Sequence, residues 1–280
     1  MVTFNIVATA VATPMSGWLV ARLGRRRLLI FSILGFTVSS LLCGTADSLG
    51  ALVLFRILQG ACGAPLAPVC QAIVQDTYPK HQHGTVIALF GMGVIIGPII
   101  GPVAGGYLSE AYSWRWVFFM IVPFSLLALA GVLVFIRETG ERSQVSLDWI
   151  GFLSLSAAVS CLQVVLDRGE RADWFASYEI IILTCLAVGA LYLFVGHVTT
   201  TERPFLRPAL FRDRNFLLGV ILMFAFGLLN FTLITLLPTI LQNLRGYPDS
   251  VIGYVLSIRG MGTFAGFIFM IWGSRLDPRV

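Results

Sequence analysis

Residues 91–106 read GMGVIIGPIIGPVAGG, inside a long apolar run. Gly93, Gly97, Gly101 and Gly105 recur at every fourth position, so on a helix they form one slowly drifting stripe without side chains. In water each glycine would cost about 1 kcal/mol relative to alanine, and Pro98 and Pro102 would each delete a backbone hydrogen bond. A soluble helix does not survive that combination. A bilayer tolerates it, because no solvent competes for the backbone and a neighbouring helix can pack directly on the glycine face. The stretch therefore reads as a membrane helix with a close helix contact along its glycine stripe.

Composition agrees. The 280 residues are 57% hydrophobic and 12% charged, with a mean hydropathy of +0.87, which excludes a disordered chain and a single soluble core. The net charge of +5 does not point to nucleic acid, because the basic residues lie in short loops between apolar runs rather than on one face. Cys43, Cys62, Cys70, Cys161 and Cys185 are odd in number, lie in apolar segments and lack metal-ligand spacing, so they read as packing residues. No Ser/His/Asp set, H-E-x-x-H, P-loop or nucleotide fingerprint is present, and no metal or cofactor is expected. The polypeptide does not read as an enzyme.

The chain opens inside an apolar run with no basic leader and no cleavage site. Further spans are expected at about 28–45, 50–75, 84–108, 115–136, 149–166, 179–198, 215–241 and 250–272, each close to the roughly 20 residues that cross a hydrocarbon layer. The fold class is all-α, a polytopic transmembrane bundle of about nine helices. Of the nineteen Lys and Arg, thirteen fall on alternate loops and four on the opposite set, while Arg56 and Arg259 lie within spans. The richer side, with Lys80 and Arg207, is cytoplasmic by the positive-inside rule, and the side with Arg171 is external.

Several stretches resemble the major facilitator superfamily. The first loop, from Gly17 to Leu29, reads GWLVARLGRRRLL, and Gly17, Leu19, Arg22, Gly24, Arg25 and Arg26 match the family's G-x-L-x-D-R-x-G-R-R/K gate loop. Ala21 stands where most members carry an aspartate that helps to lock the cytoplasmic gate. Arg56, Gln59 and Gly60 resemble the fourth-helix R-x-x-Q-G motif, whose arginine is associated with proton coupling. On physical grounds, Arg56 lies about six residues, roughly 9 Å, from its span's external end, so snorkelling to the outer interface is the alternative to a buried role. Gly93, Gly97, Pro98, Gly101, Pro102, Gly105 and Gly106 resemble the antiporter signature on the fifth helix, which implies a bend and seal between two halves.

Two further stretches are similar to the EmrB/QacA-type multidrug exporters, the fourteen-helix drug:proton antiporter branch. They are SWRWVFFMIVP, from Ser113, and LQVVLDRGERADWFAS, Leu162 to Ser177. The first also satisfies the physical demand for an aromatic belt at a membrane interface. The resemblance implies an N-terminal transporter half over 1–136, two additional central helices and a cytoplasmic loop over 137–212, and the start of a C-terminal half from 213 to 280. It also implies that the family's first helix and last four lie outside this sequence.

Every acidic residue falls in a loop or at a span end, so the anionic partners of Arg56 and Arg259 are expected on helices outside the sequence. Asp167, at the outer end of its span, is the nearby acid that can stand in, so Arg56, by the resemblance, and Asp167, by its position, are the proton-coupling candidates. Gln59, Gln71 and Asn230 are candidates for a substrate cavity, with hydrogen bonding to a neighbouring helix as their alternative role. The implied function is proton-driven efflux of small hydrophobic or cationic drugs by alternating access, with the proton gradient as energy source and the lipid bilayer as medium. A non-transporting truncated remnant or membrane assembly partner, and more weakly a membrane-embedded enzyme, are the rival classes. Whether a periplasmic adaptor takes part is left open by the sequence.

Overall fold

A computed structural model of the chain describes residues 2–138, 146–201 and 204–276. Ten α-helices run in order: α1 (Val2–Leu23), α2 (Arg25–Gly44), α3 (Leu49–Gly63), α4 (Leu66–Thr77), α5 (His83–Ala111), α6 (Trp116–Phe135), α7 (Trp149–Arg168), α8 (Tyr178–Thr200), α9 (Arg214–Arg245) and α10 (Asp249–Leu276). Among the described residues there is no strand, and nine spans are long and apolar enough to cross a membrane, with α3 and α4 together making the third.

That third span was expected as one uninterrupted helix over 50–75. It breaks at Ala64 and Pro65 instead. Pro65 has no N–H to return to the preceding turn, and the carbonyl of Pro65 starts the next segment by accepting from Val69 at 3.1 Å. The helix of residues 83–111, in contrast, runs through both Pro98 and Pro102.

The chain forms two compact units. The first comprises residues 1–69 and 121–217 and holds α1 to α3, most of α6, α7 and α8. Here α3 packs against both α1 and α2. Small residues permit the approach: Gly35 of α2 faces the Cys62 side chain, and Gly63 of α3 faces the Phe36 ring. The hydroxyls of Thr37 and Ser125, 2.8 Å apart, join α2 to α6. At its start α2 follows Gly24, whose φ of +85° lies where side chains are strongly disfavoured.

Helices α7 and α8 pair, and α7 also lies along α1. The turn after α7 carries the Leu162–Ser177 stretch. Trp174 N–H donates to the Gly169 carbonyl at 2.7 Å, with the indole folded over Gly169. Arg168 and Glu179 close the turn with a 2.6 Å ion pair.

The second unit comprises residues 70–120 and 218–280, and its main contact joins α5 to α10. Gly253 lies against the Pro102 backbone and Gly260 against the Ile99 side chain, while Phe267 reaches across to Gly91. Ser257 Oγ is 2.5 Å from the Ile99 carbonyl oxygen. This is small-residue packing of the kind membrane helices use, with Gly253, Ser257 and Gly260 supplied by α10 and Gly91 by α5.

The glycine stripe lies on a different face of α5 from the contact with α10. The close contact predicted along Gly93, Gly97, Gly101 and Gly105 is not what joins these helices. A Cβ built on Gly93, Gly97 or Gly101 meets nothing within 4 Å, and one on Gly105 meets only Val117 at 3.9 Å. The contact with α10 uses Gly91, Ile99 and Pro102; the row of Gly91 and Ile99 is offset by two residues, about 160° around the helix, from the stripe.

Candidate functional site

The cluster of interest is built where α1, α2 and α3 meet in the first unit. Arg56 Nη1 donates to Gln59 Oε1 at 3.2 Å, one helical turn along α3. Gln59 Nε2 donates to Ser40 Oγ of α2 at 2.8 Å, and that hydroxyl donates to the Phe36 carbonyl at 2.7 Å. Gln59 is 3% exposed and Ser40 fully buried. From α1, Asn5 Nδ2 donates to the Arg56 carbonyl at 2.8 Å, and the Thr9 hydroxyl lies 3.3 Å from the Gly60 carbonyl.

Gly60 makes this geometry accessible. A side chain there would strike the Asn5 carbonyl oxygen and lie 3.0 Å from Thr9 Oγ1. The R-x-x-Q-G spacing thus has a local physical meaning. The glutamine receives the arginine, and the glycine lets α1 approach.

A guanidinium does not give up its proton at accessible pH, so Arg56 cannot be a proton carrier. What it supplies is a fixed positive field inside an apolar bundle, with a carboxamide relaying its hydrogen bond to α2. Asp167 is the acid of these two candidates. It sits at the end of α7, exposed, and accepts a 2.6 Å hydrogen bond from the Thr3 hydroxyl of α1. Arg56 and Asp167 are therefore each tied to α1, through Asn5 and Thr3 respectively.

The other candidates separate. Gln71 is exposed on α4 with no hydrogen bond among the described residues. Asn230 of α9 donates to the Phe226 carbonyl and accepts from the Arg259 guanidinium of α10, which gives the second membrane arginine a neutral partner. In the gate loop, Arg22 lies over the Trp18 ring at 5.2 Å, and Arg26 Nη2 donates to the Leu133 carbonyl at 3.0 Å. Gly17 has open space beside it.

Sequence reasoning missed two groups. Glu138, just beyond α6, brings its carboxylate over Gly24 and to 3.9 Å from Arg27 Nε, beside the loop whose aspartate position is Ala21. Asp148 is the N-cap of α7, accepting from Gly151 N–H at 3.0 Å, from His197 Nε2 at 2.8 Å and from Phe205 N–H at 3.0 Å. Burial pushes the Asp148 carboxyl up, but the two backbone donors and His197 outweigh it and hold the group below the usual carboxylate range. An aspartate directly before the apolar run at Trp149 was the available capping signal.

The family model of the Major Facilitator Superfamily matches residues 1–280. The chain belongs to the Major Facilitator Superfamily. Its similarity to curated members of that superfamily is strong. It is 38% identical over 242 residues to the multidrug export protein EmrB of Escherichia coli (strain K12), covering 86% of this chain and 47% of that protein. With the Haemophilus influenzae protein of the same name it shares 38% identity over 281 residues, 98% of this chain and 54% of the relative. With the fatty acid resistance protein FarB of Neisseria gonorrhoeae it shares 33% identity over 283 residues, 100% and 56%. The chain spans about half the length of the curated relatives it matches. As a Major Facilitator Superfamily member with these spans, it is a multi-pass membrane protein of a transporter family rather than of an enzyme family.

Proposed function

We propose that this chain supplies the N-terminal part of a proton-driven exporter of small hydrophobic or cationic drugs, working by alternating access. Residues 1–136 are taken as one transporter half, 137–212 as two central helices with a cytoplasmic loop, and 213–280 as the start of the other half. The observation that carries the reading is the Arg56–Gln59–Ser40 chain of hydrogen bonds, a permanent charge held inside a membrane bundle at a motif shared with antiporters. Similarity to relatives named as multidrug export proteins supports the substrate class.

In this scheme Arg56 sets the field against which a proton and a cationic drug compete, and Asp167 takes and releases the proton. Protonation of Asp167 would weaken its acceptance from Thr3 and loosen α1 from α7. Glu138 supplies the acidic partner of the gate loop that position 21 does not. The proton gradient is the energy source, no cofactor takes part, and no catalytic step on the drug occurs.

The test is efflux of a fluorescent cationic dye from proteoliposomes holding the complete gene product under an imposed pH gradient. Arg56→Gln is expected to abolish gradient-driven transport while dye binding persists. Asp167→Asn is expected to do the same. Transport at the parental rate in both variants would overturn the assignment.

A further inference from the structure

On the side that the charge count assigns to the cytoplasm, the ends of α1, α7 and α8 and the 204–212 connection enclose a cavity of about 1010 Å³. Pro14 and Trp18 of α1 and Phe205 of the connection give it apolar walls, and Arg207 and Arg212 line it as cations. All of these residues belong to the first unit. Phe205 is fixed twice, by its N–H on Asp148 and by an edge-on ring contact with Phe152 at 5.6 Å between centroids, so this wall is preformed.

The charge of the cavity is decided by where its nearby carboxylates are spent. Asp148 lines it too, but its two oxygens already serve Gly151, His197 and Phe205. Asp213, which directly follows Arg212, accepts from the N–H groups of Asn215 and Phe216 at the start of α9. Neither Arg207 nor Arg212 makes an ion pair with a described carboxylate. Among the described residues, two guanidiniums thus stand without a paired carboxylate beside apolar walls at a membrane-helix end.

We propose that this cavity binds the headgroup of an anionic phospholipid of the cytoplasmic leaflet, with its phosphate on Arg207 and Arg212 and its upper acyl chain along Trp18 and Pro14. A guanidinium fork suits a phosphate oxygen pair, and basic pockets between spanning helices are the places where acidic lipids reside. A purely soluble anion would leave the apolar walls unused. The site is independent of the antiport reading, since none of its residues belongs to the Arg56 cluster.

The test is native mass spectrometry of the complete gene product, released from vesicles of phosphatidylglycerol and phosphatidylcholine with matched acyl chains. The parent is expected to retain phosphatidylglycerol in preference. Arg207→Gln and Arg212→Gln are each expected to lower that retention about fivefold, and together to bring it to the phosphatidylcholine level. Arg171→Gln, on the opposite side, is expected to change nothing. If the double variant does not fold, the two single variants decide. Unchanged retention in the arginine variants, an equal loss in Arg171→Gln, or displacement of the lipid by millimolar inorganic phosphate would each overturn the proposal.

Discussion

At Gly60 a missing side chain is what lets α1 reach the Arg56 carbonyl, so the residue is more demanding than its size suggests. Gly60→Val forces a branched side chain against the Asn5 backbone, and overpacking of this kind costs about 1 to 3 kcal/mol. The expected result is a lowered unfolding temperature in detergent, with Gly189→Val as the control, because no atom lies within 4 Å of a Cβ at that position. Equal midpoints for the two variants would remove the α1–α3 contact from the account.

Asp148 makes a prediction in pH. Its carboxyl is held below its ordinary value in the folded chain, so the stabilisation is complete above the unfolded carboxylate range and disappears as pH falls through the folded value. Asp148→Asn removes charge-assisted hydrogen bonds worth about 1.5–3 kcal/mol each. The gap in melting temperature between parent and variant is therefore expected to be full at neutral pH and to close below roughly pH 4. A gap that stays constant across that range would show that the charge of Asp148 contributes nothing.

Among the elements, the pairing of α5 with α10 depends on small residues of α10. Gly253→Val places its Cβ 2.8 Å from the Pro102 carbonyl oxygen, and backbone cannot move aside as a flexible side chain can. Ser257→Ala removes only the hydroxyl that meets the Ile99 carbonyl, a loss of about 0.6 kcal/mol by the average for such bonds in membranes. The valine variant is expected to unfold at clearly lower temperature than the alanine variant; the opposite order would show that hydrogen bonding, not close approach, holds the pair.

The spans themselves could be read from the sequence, because twenty consecutive apolar residues leave a chain few alternatives. Contact faces could not. Helix α5 is apolar all round, so no polar side marks which stripe meets a neighbour, and the most regular glycine row turned out to be the one its partner in this unit does not use. Arg56 and Gln59 were legible through their spacing. Ser40 was not, since a serine in a membrane helix satisfies itself on its own preceding turn and declares no partner. Glu138 and Asp148 were hidden for a different reason. They lie in connections, and which helix end a connection returns to is decided by the three-dimensional arrangement.

For the whole molecule, orientation follows from thirteen basic residues on one set of loops against four on the other. With Cys43, Cys62, Cys70, Cys161 and Cys185 replaced, single cysteines placed near Lys80 or Arg207 are expected to resist an impermeant thiol reagent, and one near Arg171 to react. The reverse pattern would invert the topology and move the arginine-lined cavity to the outer leaflet.

Within the first unit, α1 holds α3 through Asn5 and Thr9 and holds α7 through Thr3. Thr3 and Asn5 point about 160° apart around the helix, so α1 serves as an axle gripped from two sides. A slide of either neighbour by one turn, about 5.4 Å, must release one grip while the other stays fast. Motion at the Arg56 end and motion at the Asp167 end are therefore geared through a single helix: α3 and α7 can turn together with it, but neither can travel past it without first letting go of a hydroxyl or a carboxamide.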